Sequence, residues 1–458
     1  MKQIYFFDDF LIRRSKEIKQ VFHTPQWMPE HLYIDQTSYY GTGYSSIVPA
    51  PNGGYYLYSI TLTSKDEETS TVVALAHSTD GLHWVPVDLK DKAASTGKHH
   101  INFGKIIPGG IFVMYDPEDP DPARRYKMTN SPFDPSKSFA DRPPCILYYS
   151  SDGLVWTPDP EHHLLPSNSD TMLNMIKNPY TGNYQVTLRR RWGERRVHLV
   201  ESGDLKEWTP PRVILHPEPT DPAGTHFYGM PQFPYGDMFA GFLWKLKMPY
   251  NKNMDGPVTT ELTYSYDGSC WNRTHFDVMP LRELGTHGGG SIYGAAMLDT
   301  GDKVLVYAMA GLEQHHRVFE AMKAKRHYSG LLPGWIRKEG LVGMAADSGQ
   351  GEITTELLKL RNPNLTVNIN APFGGVRFQL ADENLKPLDG YTYEDSEEII
   401  GDHLAAPLRW KNRPDLSDAI KQQPLFRLMI RMEQAELFAI HGDFVFTTNP
   451  FAPLYENM

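Results

Sequence analysis

Four short segments of this chain share one pattern. Ser78–Trp84 reads STDGLHW, Ser150–Trp156 reads SSDGLVW, Ser202–Trp208 reads SGDLKEW and Ser265–Trp271 reads SYDGSCW. Trp84, Trp156, Trp208 and Trp271 follow one another at 72, 52 and 63 residues. Such self-similarity marks a solenoid, a propeller or an array, in which one small unit is stacked repeatedly. A strand-forming run precedes each copy: TVVALAH, CILYY, RRVHLVE and TTELTYS. In three copies Asp-Gly follows, a two-residue hairpin signal whose turn positions need positive φ. The third copy has Asp-Leu, so its turn must differ. The tryptophan three residues on can lay its ring against the sheet while Ser or Asp holds the turn backbone.

Three strands before each turn and one after it make a four-stranded unit. Four-stranded sheets repeated radially make a propeller, which leaves only short edges to protect. Beyond Trp271 the segments SIYGAAML, KVLVYAMAG and GLVGMAADSG supply a fifth unit with a degenerate turn, as terminal repeats often have. The run HHRVFEAMKAKRHYSG between its strands reads as a loop or short helix. After residue 360 the texture changes to short alternating strands, LTVNINAP, GGVRFQLAD, LFRLMIRM and AELFAIHG, separated by turn signals and without a further copy of the motif. That texture predicts a β-sandwich. The expected fold is all-β: a five-bladed β-propeller with an N-terminal extension over 1–358, followed by a C-terminal β-sandwich over 359–458. The 12% aromatic content, with 37 Gly and 36 Pro, agrees with strands punctuated by turns.

Charge and cysteine use narrow the function. The net charge is −10, and phosphate binding needs a basic excess, so neither nucleic acid nor an anionic membrane surface is an expected partner. No stretch approaches the ~20 apolar residues of a membrane-spanning helix. Two cysteines, Cys145 and Cys270, cannot build a disulfide framework. The start MKQIYFFDDFLIRR lacks the basic head and cleavage site of a signal peptide. The chain as given reads as cytoplasmic; one trimmed of its signal would be secreted or periplasmic and would read the same. Nothing in the sequence sets an oligomeric state.

A propeller presents the starts of its innermost strands to a central funnel, so polar residues there are the candidates. They are Asp35, Tyr39 and Tyr40 in the first unit and His99, His100 and Asn102 in the second. Asp170 and Asn174, then His226 and Tyr228, then His287 and Ser291 come from the remaining three. Asp35 and Asp170 are the expected catalytic pair, because two carboxylates on one pocket can divide acid and nucleophile roles. Asp116, Asp119 and Asp121 in YDPEDPDPARRYKM read as a surface loop with Asp–Arg pairing; Asp116 could also project into a cleft from the end of its strand. A calcium site there lacks EF-hand spacing. In TLRRRWGERR, strand alternation puts Arg189 and Arg191 on one face, suited to an anionic or hydroxyl-rich substrate, with Glu194 at the next turn a candidate acid or base. The doublets at 99–100, 162–163 and 315–316 are poor metal sites, because neighbours in a strand face opposite ways. No HExxH, paired CxxC, phosphate loop or GxSxG elbow occurs, so neither a metal nor a cofactor is expected.

The repeats, the N-terminal FFDDFLI, the YDPEDPDPARRYKM segment and the C-terminal LTVNINAP…GGVRFQL…LRW together resemble the family-32-like members of the five-bladed glycoside hydrolases. The resemblance covers nearly the whole chain. It extends more distantly to glycoside hydrolase families 32, 43 and 68. It implies a glycosidase acting on an oligosaccharide or glycoside, with furanosides the first candidates, through acidic residues at the funnel. Asp35, Asp116, Asp170 and Glu194 are the candidate catalytic set. Tyr40, His100, Arg189, Arg191, His226, Tyr228 and His287 are the candidate substrate binders. The family 32 motif WMNDPNG is absent, YDP at Asp116 stands nearest to its RDP motif, and its Glu-Cys motif is missing. Two other readings stay open: a non-catalytic carbohydrate-binding propeller, and a sialidase-like enzyme suggested by the likeness of SxDGxxW to an Asp box.

Overall fold

The computed structural model describes residues 2–447 apart from 39, 64–70, 91–94, 98, 102, 104–105, 135, 138–140, 164–168, 170, 193, 249–254, 316 and 318–326. The described residues are nearly all β; their one α-helix is Ser417–Gln422. The chain divides into two compact units, one of residues 25–234 and 238–336, the other of 1–24, 235–237 and 337–458.

The larger unit repeats one antiparallel plan. The first sheet runs Ser45–Pro49, Tyr55–Leu62 and Thr71–Ser78, and the last of these pairs outward with both Val85–Pro86 and His100–Ile101. The second is Ile107–Tyr115, Tyr126–Phe133, Ile146–Ser150 and Thr157–His163. The third is Asn174–Lys177, Tyr184–Leu188, Val197–Ser202 and Arg212–Leu215. The next two runs belong to one nine-stranded sheet, joined by a parallel bridge between Val258 and Ser291. One run is Thr225–Gly229, Met238–Lys247, Val258–Ser265 and Asn272–Met279. The other is Ser291–Asp299, Lys303–Gly311, Ser329–Arg337 and, outermost, Gln26–Trp27. That last pairing brings the start of the unit onto the sheet at its end. The segment after it continues the closure, with Tyr33 bridging Leu331 and Gly41 bridging Ser329.

The Ser-x-Asp turns are built alike. In each copy the Ser Oγ accepts from the backbone N–H of the third residue on, and the Asp Oδ1 accepts from the two N–H groups beyond. Gly81, Gly153 and Gly268 hold φ of +79°, +75° and +74°, and in the third copy Leu205 takes that place at +66°. Its turn therefore keeps the same bonds, with Leu205 N–H on Ser202 and Lys206 and Glu207 N–H on Asp204. Only one residue per turn is left-handed, so these are not the two-residue hairpins expected. The turns also fasten one sheet to another. Tyr307 donates to Gly81 O at 2.9 Å, Tyr58 to Gly153 O at 2.7 Å and Asn178 Nδ2 to Asp267 O at 2.9 Å. Trp84, Trp156 and Trp271 are buried in the clusters between those same sheets.

The fifth run differs from the sequence reading in its third strand. Ser329–Arg337 fills that place, whereas Val342–Ala346, within GLVGMAADSG, pairs with Lys19–Phe22 and Ala435–Thr447 in the other unit. The division at 336/337 accordingly falls before the expected boundary at 358, and residues 1–24 belong with the C-terminal segment. That unit is one nine-stranded sheet built on the long strand Leu357–Ala381, whose two halves pair with Ala435–Thr447 and Arg427–Glu433. Its interior is apolar, with Leu365, Val367, Ile369, Phe378, Leu428, Ile430 and Ile440 all buried.

Candidate functional site

The innermost strands of the larger unit carry different chemistry at their two ends. Around their N-terminal ends stands an aromatic wall. Tyr44 immediately precedes Ser45–Pro49, Tyr228 lies in Thr225–Gly229 and Tyr293 in Ser291–Asp299. Tyr44 Oη donates to Tyr228 Oη at 3.1 Å and its ring stacks on Trp244 at 6.0 Å. The His315 ring meets Tyr228 at 4.6 Å, and Tyr40 meets Tyr328 at 5.3 Å. Burial raises the phenols of Tyr40 and Tyr293 well above their ordinary range, so they stay protonated as hydrogen-bond donors.

Cations complete this end. The Arg189 guanidinium lies 4.4 Å from the Tyr228 ring centroid and that of Arg195 5.7 Å, within cation–π range. The Arg195 backbone N–H donates to His226 Nδ1 at 3.3 Å. Burial, and then the charges of Arg195 and Arg189, lower the pKa of His226 and keep its imidazole neutral. The strand before Arg189 stops at Leu188, and Arg191–Trp192 and Glu194–Arg195 form a separate two-stranded ribbon. The expected alternation from Arg189 to Arg191 is therefore broken. The side chains of Arg191 and Glu194 lie outside the described residues, as do Asp170, Tyr39, Asn102 and His316. The residues flanking Asp170 are described. Ser169 Oγ donates to Arg189 O at 3.1 Å, and a Cβ on Gly229 would stand 3.1 Å from Thr171 Oγ1. His287 sits in the turn before Ser291. Its carbonyl accepts from Arg282 at 2.7 Å, and burial, then Arg282 and His327, lower its pKa.

At the C-terminal ends the first strands of four runs, and in the fourth run the short strand Gln232–Tyr235 that follows Thr225–Gly229, line one cavity of about 600 Å³. Asp116 lies here, just past Ile107–Tyr115, and is buried. Its Oδ2 accepts from Tyr184 Oη at 2.6 Å and pairs with Lys177 at 3.3 Å and Lys127 at 3.7 Å. The fully buried Lys127 also pairs with Asp119 at 2.7 Å and donates to Arg124 O at 2.7 Å. Burial pushes the Asp116 carboxyl up, but Tyr184 and the lysines outweigh it and hold the pKa below the usual range. Lys127 thus supplies the cation for Asp116 and Asp119, which are buried and paired with lysine where a surface loop with Asp–Arg pairing was expected. Asp116 stands at the opposite end of the innermost strands from the tyrosine wall.

Asp35 is elsewhere again. Its Oδ1 accepts from Thr37 N at 2.9 Å and Thr37 Oγ1 at 2.7 Å, and its Oδ2 lies 3.0 Å from His99 Nε2. Burial raises its pKa, but the bonds from His99 and Thr37 prevail and keep it ionised. His99 precedes His100–Ile101, the fourth strand of the first sheet, with only Ser95–Gly97 beyond it. At about 4.8 Å per strand that is roughly 14 Å from the innermost strand. Asp35 and His100 are therefore held toward the outside of the first sheet, not at the tyrosine wall. The doublet 99–100 also departs from the sequence reading. His99 lies in a turn rather than in the strand, so alternation does not separate the rings, and their centroids are 4.4 Å apart.

Sequence reasoning thus found Tyr40, Tyr228, Arg189 and His226 at this end and missed Tyr44, Tyr293, His315, Tyr328 and Arg195. A tyrosine at the start of an innermost strand, as in GYSS, THFYG and SIYG, was the available signal. His315 and Tyr328 flank a connection with no periodicity to place them.

No family model matches the chain, and no curated protein matches its sequence. Solved structures of similar shape include a glycoside hydrolase at 13% identity and TM-score 0.48, covering 70% of this chain and 92% of its own. Another is an N-acetylgalactosamine deacetylase from F. plautii, at 13% identity and TM-score 0.47, covering 70% and 96%. A GH32 β-fructofuranosidase from Bombyx mori matches at 11% identity and TM-score 0.46, covering 90% of this chain and 93% of its own.

Proposed function

We propose that this chain is a glycoside hydrolase, folded as a five-bladed propeller followed by a β-sandwich, whose substrate enters at the N-terminal ends of the innermost strands. The observation that carries the reading is the tyrosine wall with Arg189, Arg195 and His226 at that end, beside the residues that flank Asp170. Tyrosine faces stack on the apolar faces of sugar rings, while phenols, guanidinium and imidazole bond the hydroxyls. Arg189 and His226 hold the sugar, Tyr228 and Tyr40 form its platform, and His287 borders the entrance. Asp170 is one catalytic carboxylate and Glu194 the other. One protonates the leaving oxygen; the second attacks, or activates water, through an oxocarbenium-like transition state. A furanoside is the favoured substrate, on the sequence resemblance.

The test is a panel of nitrophenyl glycosides and natural oligosaccharides, offered to wild type and to Asp170→Asn. Release by wild type and its loss in the variant support the reading. A second reading is a carbohydrate-binding propeller without turnover, for which the tyrosine wall and its cations would suffice. Sugar binding with equal affinity in both proteins, and release by neither, would establish it.

A further inference from the structure

We propose that Asp35, His99 and His100 bind a divalent transition-metal ion of the zinc class, fastening the chain segment that closes the ring of sheets. Each residue offers one ligand atom, and these atoms lie within 4.8 Å of one another. The three are buried, at 1%, 3% and 8% exposed. The Asp35 Oδ2 to His99 Nε2 separation of 3.0 Å is near the edge of a tetrahedron, roughly 3.3 Å when the metal–ligand bonds are about 2.0–2.1 Å. Small adjustments would seat an ion.

The surroundings fit ligation. Thr37 takes Oδ1 through its N–H and hydroxyl, which leaves Oδ2 turned to the histidines. Ligating carboxylates are oriented by such outer bonds. The Thr37 hydroxyl is also 3.2 Å from His99 Nε2. A second observation is independent of this network: His100 Nε2 is buried without a hydrogen-bond partner among the described residues. A buried imidazole nitrogen left this way is costly unless something occupies it. Two imidazoles and one carboxylate suit zinc, cobalt or nickel, whereas calcium and magnesium take mainly oxygen.

The place gives the ion a purpose. Asp35 follows Tyr33, which bridges Leu331 in the fifth run, and precedes Gly41, which bridges Ser329. His100 is paired to the first sheet through Ala74. An ion shared by Asp35 and the two histidines therefore ties the closing segment to the first sheet. It also makes Asp35 a ligand, leaving Asp170 and Glu194 to the acid and base work.

The experiment uses the full chain, stripped with a chelator and titrated with Co²⁺ and with Zn²⁺. The readouts are the visible absorption of bound Co²⁺, calorimetric stoichiometry and the melting temperature. One ion per chain is expected, with a melting temperature that rises as Zn²⁺ is added. His100→Gln and Asp35→Asn should weaken binding by at least about 100-fold, and Thr37→Ala by about 10-fold, since outer partners are worth 10–100-fold. His83→Ala, at an exposed histidine, should change nothing. Melting of the metal-free variants reports whether each is folded; should either ligand variant fail to fold, wild type and Thr37→Ala decide. The inference is overturned by no saturable binding in wild type, or by unchanged binding in folded ligand variants. Failure of a Thr37→Ala effect when the ligand variants are unfolded overturns it equally. None of these readouts uses sugar release, so the glycosidase reading stands or falls separately.

Discussion

The two ends of the innermost strands invite comparison, because both gather charge among aromatic rings but with different neighbours. At the C-terminal ends Asp116 and Asp119 close on Lys127 and Lys177, and Tyr184 takes the remaining direction. That network is internally matched and ties the second sheet to the third. At the N-terminal ends Arg189, Arg195 and His226 stand on tyrosine faces, in a setting suited to a ligand's hydroxyls. Acidic residues alone do not mark a site; what decides is whether their partners are already supplied by the fold.

The sharpest break of that contrast in stability is at Lys127. Lys127→Met leaves Asp116 and Asp119 buried without their main cation, and breaking such a network costs about 3–5 kcal/mol. Denaturant unfolding should show this loss, while sugar binding by the folded fraction keeps its affinity. At the other end, Arg189→Ala removes a cation stacked on Tyr228. Affinity for the sugar should fall by about 10-fold, from a cation–π contact and hydrogen bonds worth on the order of 1–2 kcal/mol, with little change in unfolding.

The ends should also titrate in different windows. His226 has a folded pKa below its unfolded value, so the stability it contributes is present above about 6.5 and is lost as pH falls below it. Arg195 and Arg189 are the charges that face it. Asp116 and Asp119 are also depressed, so their contribution persists until pH falls below about 3.8, through the folded values. Lys127, Lys177 and Arg124 face them. Melting temperature followed against pH should flatten below about 6.5 in His226→Gln, and only below about 3.8 in Asp116→Asn. Coincident changes in both variants would remove the distinction.

The smallest effect tests the repeat that positions both ends. Ser150→Ala removes the hydroxyl that holds the Asp152 and Gly153 N–H groups, a cap worth about 1 kcal/mol. Ser202→Ala should cost about the same if Leu205 sits in an equivalent turn. A thermal shift near zero at Ser202 would set that copy apart.

Much of the architecture was legible in the sequence because the Ser-x-Asp turns recur with their tryptophans, and each fixes a hairpin locally. The turn type was less legible, since one left-handed residue suffices and Leu205 accepts the strain. The fifth run was misread in its third strand because Val342–Ala346 is as apolar as Ser329–Arg337, and only pairing separates them. The outermost strand there, Gln26–Trp27, comes from the other end of the unit, a closure that no local signal reports. At the candidate site, strand starts gave Tyr228 and His226. Asp35 and His100 were drawn to the same mouth by sequence position, yet His100–Ile101 is the fourth strand from the innermost one of its sheet. Asp116 looked catalytic because a strand end points to a cleft; its lysine partners are 11 and 61 residues further along the chain.

On the proposed reading, chemistry belongs to the N-terminal ends of the innermost strands and charge matching to the C-terminal ends. The most direct test is the rate of sugar release by Asp170→Asn beside Asp116→Asn, each checked for folding and measured on the best substrate of the wild type. The expected result is a fall of at least about 10³-fold for Asp170→Asn, as when a glycosidase loses a catalytic carboxylate, and a rate within a few-fold of wild type for folded Asp116→Asn. Abolished release in Asp116→Asn with full release in Asp170→Asn would contradict it.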